Sequence, residues 1–222
     1  FISVVSHELR TPVALIKGYA STLRRDDARW DREIIEDSLM VIEEEADRLS
    51  KMIDDLLDAS RLQAGGLSLS KNDLSIQNLA SQLAERFASQ AGSRQISVHF
   101  PELFPLISAD ETRIRQVLTN LISNAIKYAP EGEIRISGEM RPEQVIICVS
   151  DEGPGIDPKD MPLIFDRFYR AAESVNKTKG AGLGLYLARA IVEAHDGRMW
   201  VDPKINAGAC ICFSLPGKFQ YG

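Results

Sequence analysis

The apolar period of this chain changes once along its 222 residues, near Gly65-Gly66, and that change sets the architecture. Before it, apolar residues recur at helical spacing and no segment alternates as a strand does. Ile2, Val5, Leu9, Pro12, Ile16, Tyr19 and Leu23 step by three and four along one helix. Ile35, Leu39, Ile42, Ala46, Leu49, Ile53 and Leu56 do the same along a second, after the polar turn Arg24–Trp30. Two antiparallel helices with one stripe each cannot close a core, so the expected solution is a homodimer whose two hairpins form a four-helix bundle. Residues 1–25 carry four basic and one acidic residue, and residues 26–66 carry five basic and thirteen acidic, which gives the second helix a solvated acidic face.

After Gly66 the period becomes mixed. A strand-like SLSLS leads to a helix near Ser75–Ala91, a strand QISVHF (95–100) and a long helix from about Asp110 to Ala129. Two alternating runs, EIRISGEM and QVIICVSD, flank an Arg141-Pro142-Glu143 turn and predict a hairpin. A glycine-rich loop at 180–184 opens a helix to about His195, and RMWVDP and ACICFSLP close the chain as strands. Strands beside helices with hairpin connections predict an α+β, two-layer domain. The expected division is 1–66 and 67–222.

Composition removes several classes. No run approaches the length of apolar residues that spans a bilayer. Net charge is −6, with no local Lys/Arg run, so nucleic acid is not an expected partner. Cys148, Cys210 and Cys212 all sit in apolar alternating runs and read as buried thiols of a reducing compartment rather than a disulfide framework. Phe1 starts inside a helix, so the chain is expected to be a cytoplasmic piece of a longer protein. Any membrane anchor would lie in segments outside these residues.

Four segments carry candidate chemistry. His7 points away from the seam of the first helix, with Glu8 adjacent and small neighbours around it. Pro12 removes the N–H that would reach Glu8 and bends the helix there. A neutral imidazole is a plentiful nucleophile near neutral pH, although a lone exposed histidine is more often an ordinary surface residue. On the helix from Asp110, the residues Arg113, Gln116, Asn120, Asn124 and Lys127 line one side. Asparagine is a poor helix former, and amide oxygens suit a hard cation such as Mg²⁺. A plain solvated face fits that helix as well. Asp151 ends a strand and meets Gly153-Pro154-Gly155, an acceptor beside a tight turn that suits an exocyclic amine. Gly180-Ala181-Gly182-Leu183-Gly184-Leu185 opens a helix with amides able to bind phosphate, yet matches neither a Walker A loop nor a dinucleotide fingerprint. Arg170–Lys179 reads as a lid, preceded by the aromatic residues Phe165, Phe168 and Tyr169.

Together these segments resemble the catalytic core of the sensor histidine kinases of two-component signalling. FISVVSHELRTPVALIKGY is similar to the family's H-box, RQVLTNLISNAIKYAP to its N-box and VSDEGPGID to the first glycine box. IFDRFYR is similar to the F-box and GAGLGLYLARAIVEAHDG to the second glycine box. The resemblance implies a dimerisation bundle followed by an ATP-binding α/β sandwich shared with Hsp90, gyrase B and MutL-type ATPases. It implies that His7 is autophosphorylated, that Glu8 is its acid/base partner, and that Thr11 positions water when the partner response regulator is dephosphorylated.

The same resemblance assigns Asn124 with Asn120 to Mg²⁺, Lys127 and Arg170 to ATP phosphates, and Tyr128 to the adenine. Asp151 would accept from adenine N6 beside Gly153, Gly155 and Ile156, with Phe165 counted among the nucleotide-binding residues. Gly180, Gly182, Leu183, Gly184 and Leu185 would present phosphate-binding amides. A response-regulator receiver domain would take the phosphoryl group on an aspartate, and Leu62–Leu69 would act as a hinge. Two other classes stay open from the residues alone: an ATP-binding dimeric adaptor, and a water-using ATPase. His99, His195, Trp30 and Trp200 read as structural, and Leu56, Leu57 and Leu62 as core first.

Overall fold

The structure, a computed structural model, describes residues 2–25, 29–63, 68–171, 182–203 and 208–217; for residues 2–5, 7, 62 and 63 it describes the backbone only. Helix α1, Ile2–Leu23, contains Pro12, and α2, Arg32–Gln63, returns along it. The buried residues of α2 are Ser38, Glu45, Met52 and Ala59, one heptad apart, with Glu45 paired to Arg48 at 3.3 Å. They are not the predicted stripe. Ile35, Leu39 and Ile53 of that stripe stay exposed, as do Ile34, Met40, Leu57 and Val13. A two-helix hairpin buries only a narrow facing strip, so part of the apolar stripe of α2 is left uncovered by its own chain, while Ile42, Leu49 and Leu56 are half-buried.

The remaining elements form the two-layer α/β unit. A five-stranded sheet has the order β2-β4-β5-β7-β6, with β2 (Ile96–His99) parallel to β4 (Ile134–Arg141) and the other pairs antiparallel. Strands β4 and β5 (Gln144–Asp151) form the expected hairpin, with Arg141 opposite Gln144 across Pro142-Glu143. β6 is Arg198–Val201 and β7 Cys210–Pro216. On the sheet, Ile134, Ile136, Val145, Ile147, Val149, Met199, Phe213 and Leu215 pack beneath the helices α3 (Ile76–Ala88), α4 (Glu111–Tyr128) and α5 (Gly184–Ala194).

Two sequence expectations move. The strand expected at SLSLS lies instead at β1, Asn72–Leu74, because its partner is β3, Ile107–Ala109, a three-residue strand that shows no alternating run of its own. Cys148 and Cys212 are not thiols: they form a disulfide, since the antiparallel register of β5 and β7 sets them directly opposite one another. Their separation of 64 residues hides that proximity in the sequence. Cys210 remains a buried thiol, and burial pushes its pKa up to about 11.

One polar network fixes where α4 starts. Asp110 caps it by accepting from Arg113 N at 3.1 Å, and its other oxygen accepts from Ser70 N at 2.9 Å. The backbone N–H of Asp110 donates to His195 Nε2 at 3.0 Å, while His195 Nδ1–H donates to Ile191 O at 2.8 Å. Burial holds the His195 pKa below its ordinary value, so the neutral ring serves as both acceptor and donor. The structural role expected of His195 is therefore a specific one: it ties the start of α4 to the end of α5.

Candidate functional site

The polar side of α4 forms one wall of a cavity of about 280 Å³. Asn120, Ser123, Asn124, Lys127 and Tyr128 line it with Ile164, Tyr169, Arg170 and the segment Gly182–Leu185. The fourth wall comes from α2, through Arg48, Lys51, Met52 and Asp55. Four cationic side chains and one carboxylate therefore face a shared space, a balance that suits a polyanion. Burial, reinforced by Asp58 and Asp54 against the opposing charge of Lys51, pushes the Asp55 carboxyl up to about 6.

Asn120 is 8% exposed, and its Nδ2 donates to Gly184 O at 3.1 Å, which fastens the glycine loop to α4. Its Oδ1 remains an acceptor, and Asn124 lies one turn on in the same wall. Two amide oxygens at this spacing fit the hard-oxygen donor set of Mg²⁺. Lys127 stacks over the Tyr128 ring at 4.9 Å.

Gly182 needs its glycine. With φ at 71°, any Cβ would stand 2.7 Å from the carbonyl carbon of Phe168 and 2.8 Å from Tyr169 O. Phe168 itself takes a left-handed φ of 61°, and its N–H donates to Gly182 O at 2.9 Å. These contacts seam the second glycine loop to the IFDRFYR segment. Tyr169 is pinned by donating to the buried Asp160 at 2.7 Å. Arg167 meets the Tyr186 hydroxyl and lies over its ring.

Asp151 stands at the end of β5, outside that cavity's lining. Its Oδ1 accepts from Gly153 N at 2.9 Å and Ala209 N at 3.2 Å. Burial raises its pKa, with the two N–H groups opposing. Gly153 packs on Ala129 at the end of α4, and a Cβ at Gly155 would stand 3.0 Å from Gly208 O. Gly208 and Ala209 were missed in the sequence, although they hold the carboxylate: Asp151 N also donates to Ala209 O at 2.9 Å. The available signal was a glycine placed just before the last strand. Ile156 packs partly buried against the main core beside this turn.

Not every candidate reaches the cavity. Phe165 is 6% exposed within the main core and borders a separate hollow of about 440 Å³ with Arg167, Tyr186 and Arg189, so it does not join the other candidates. Leu183 turns its side chain into an apolar contact with Ala59 and Leu56 of α2 and with Leu187 of α5. Leu56 thus makes the contact between the hairpin and the α/β unit that is its second role in the sequence reading. Asp58 of α2 accepts from Arg113 at 2.8 Å and from Gln116 at 3.2 Å, clamping the same junction.

On α1, the Glu8 carboxylate and the Arg170 guanidinium approach to 3.9 Å, both largely buried. His7 lies on α1 one residue before Glu8, and Thr11 is exposed one turn further on. The side chains of His7 and Leu62, Gly180 and Ala181, the expected lid beyond Ala171 and the hinge residues 64–67 lie outside what is described.

Two family models match the chain. Residues 1–65 match the His Kinase A (phospho-acceptor) domain, and residues 109–218 match the histidine kinase-, DNA gyrase B- and HSP90-like ATPase. Sensor histidine kinase WalK of Bacillus subtilis is 35% identical over 98% of this chain. Sensor protein SrrB of Staphylococcus aureus is 35% identical over 97%. The chain spans 36% and 37% of the length of these two relatives. Among solved structures, full-length ShkA in complex with AMPPNP superposes with a TM-score of 0.74 at 28% identity, over 99% of this chain and 46% of that one. Histidine kinase ThkA in complex with response regulator protein TrrA gives 0.74 at 26% identity, over 96% of this chain and 59% of that one.

Proposed function

We propose, from the premise that this chain belongs to the sensor histidine kinases as their catalytic core, that it uses Mg-ATP to phosphorylate His7 and passes the phosphoryl group to an aspartate of a response-regulator receiver domain. Residues 1–66 act as the dimerisation and phosphotransfer unit and residues 67–222 as the ATP-binding unit. The exposed stripe of Ile35, Leu39 and Ile53 is the seam that a second copy covers.

The observation that carries this reading is the approach of Arg170 to Glu8 at 3.9 Å. It joins a cation-rich cavity to the residue next to the histidine. A neutral His7 nitrogen attacks the γ-phosphorus; the P–N bond forms as the bond to the β–γ bridging oxygen breaks, and ADP leaves. Glu8 takes the ring proton, since an imidazole that keeps it is a good leaving group. Lys127 and Arg170 neutralise the charge that develops on the phosphoryl oxygens. Asn124, with the free oxygen of Asn120, would hold the Mg²⁺. When bound, that ion supplies charge neutralisation at the polyphosphate. Asp151 accepts from the adenine amine, Gly153 and Gly155 give the ring room, and Tyr128 packs near it. Amides of the 180–185 loop face the phosphates. Thr11 positions water when the regulator is dephosphorylated.

The cavity wall supplied by α2 supports a docked ground state in which Arg170 already approaches Glu8, and release of its α2 contacts would let the ATP-binding unit swing to present its nucleotide to His7. Asp58, Leu56 and Ala59 are the contacts to be broken.

A pulse–chase experiment tests the reading. The chain is labelled with γ-labelled ATP, freed of nucleotide and mixed with a receiver domain or with the same domain lacking its acceptor aspartate. Label leaving the chain for the intact receiver alone is expected. A label that stays, or that moves equally to both, would contradict the transfer.

A further inference from the structure

Three sulfur atoms meet on the face of the sheet turned away from the helices. Alternation along β5 and β7 sends Val145, Ile147, Val149, Ile211, Phe213 and Leu215 to the core and leaves Ile146, Cys148, Cys210 and Cys212 on the other side, beside Trp200. Cys210 Sγ stands 3.6 Å from Cys212 Sγ, which bonds to Cys148. All three Sγ atoms lie within 4.8 Å of one another, and among the described residues no imidazole or carboxylate oxygen joins that group. Cys210 and Cys212 are buried while Cys148 is half-buried, so the cluster is dry on one side and reachable on the other.

None of the kinase chemistry uses these residues. A dithiol reductant opens the pair by supplying two electrons and two protons; it leaves as its own disulfide, and Cys148 and Cys212 become thiols. Three thiols then share one pocket. A tetrahedral centre with metal–sulfur bonds of about 2.3 Å sets its sulfurs just under about 4 Å apart, inside the span that the cluster already has. Sulfur-only ligation selects a soft cation over Mg²⁺ or Ca²⁺. Three thiolates carry three negative charges, which a divalent ion offsets better than a monovalent one.

We propose that the reduced Cys148–Cys210–Cys212 triad binds one divalent thiophilic d¹⁰ cation of the zinc class through three thiolates, and that the Cys148–Cys212 disulfide and the metal are mutually exclusive states of the site. Binding releases three protons, one from each thiol. The fourth position belongs to water on the half-buried side of Cys148. Ala209, next to Cys210, donates to Asp151, so the metal would sit on the strand end that also orients that carboxylate.

The test titrates the anaerobically reduced chain with Zn²⁺ against a chromophoric chelator. Cd²⁺ is then used to count thiolates from the sulfur-to-metal charge-transfer band in the near ultraviolet. One equivalent per chain with a three-thiolate band is expected. Cys210→Ser should lose about a third of the band and at least about tenfold in affinity, as should Cys148→Ser, with far-ultraviolet circular dichroism unchanged in both. The disulfide-closed chain should take up no metal at this site. No competitive uptake, or an unchanged band in Cys210→Ser and Cys148→Ser, or equal uptake by the oxidised chain would overturn the assignment. None of these readings depends on kinase activity.

Discussion

Gly208→Ala is a sharp probe of the Asp151 corner, because this glycine packs its backbone against that of Asp151 and has no side chain that could itself meet a nucleotide. Gly208 has φ of 84°, and a Cβ there would fall inside the van der Waals surface of Asp151 O and 2.9 Å from the Glu152 Cα. Both neighbours are backbone, so neither can rotate away. The left-handed conformation costs an alanine about 1–2 kcal/mol. Relief of the clash separates the start of β7 from the end of β5, and with it the two hydrogen bonds between Asp151 and Ala209 at 2.9 and 3.2 Å. At about 1 kcal/mol each, the total loss of stability is about 3–4 kcal/mol.

The effect on nucleotide is separate. Asp151 Oδ1 loses one of its two N–H partners, and displacing the charge-assisted hydrogen bond proposed to adenine should cost about 1.5–3 kcal/mol, or about 10- to 100-fold in affinity. Displacement of a fluorescent ATP analogue reads this directly, beside thermal unfolding. Gly92→Ala is the matched control: φ is 65°, yet nothing lies within 4 Å of its Cβ. It should pay the conformational strain alone and keep full affinity for ATP. An ATP affinity within about twofold of the unaltered chain in Gly208→Ala would refute the argument that this close approach positions the carboxylate.

Asn120→Ala removes the bond to Gly184 and should weaken ATP binding about tenfold, measured with and without Mg²⁺, by loosening the glycine loop. Asp58→Ala should leave ATP affinity unchanged but raise the initial rate of His7 labelling, because it unclamps Arg113 and Gln116 from α2. Asp55, whose folded carboxyl is raised to about 6 from an ordinary 3.8, disfavours the docked fold when it is ionised. That cost is fully present above about pH 6 and absent below the ordinary carboxylate value. Asp55→Asn should therefore raise the melting temperature at pH 7.5 and reduce the stabilisation gained on acidifying to pH 5.

Much of the candidate site's geometry was legible because its residues are local in sequence. Asn120, Asn124 and Lys127 line one cavity wall because a helix repeats every three to four residues, and Asp151 with Gly153 forms one turn. The hairpin of β4 and β5 was legible for the same reason. What depended on distant pairing was hidden. β3 exists only because β1 lies beside it, and Cys148 meets Cys212 only through the β5–β7 register. The role of Gly208 follows from a strand end 57 residues away.

The α2 wall of the cavity was hidden by a different cause. Arg48, Lys51 and Asp55 read as part of a charged, solvated face, which they would be if α2 stood alone. Docking of the α/β unit turns that face inward. Leu56 likewise carries two compatible readings, bundle core and contact with Leu183, and no periodicity separates them.

The central claim, that His7 receives the γ-phosphoryl group of ATP, has one direct measurement. The chain is incubated with Mg²⁺ and γ-labelled ATP beside a His7→Gln variant, and the retained label is challenged with acid and with base. Label that is acid-labile, base-stable and absent from His7→Gln is the expected result. Label that persists in His7→Gln, or that survives acid as a phosphoester does, would contradict the account.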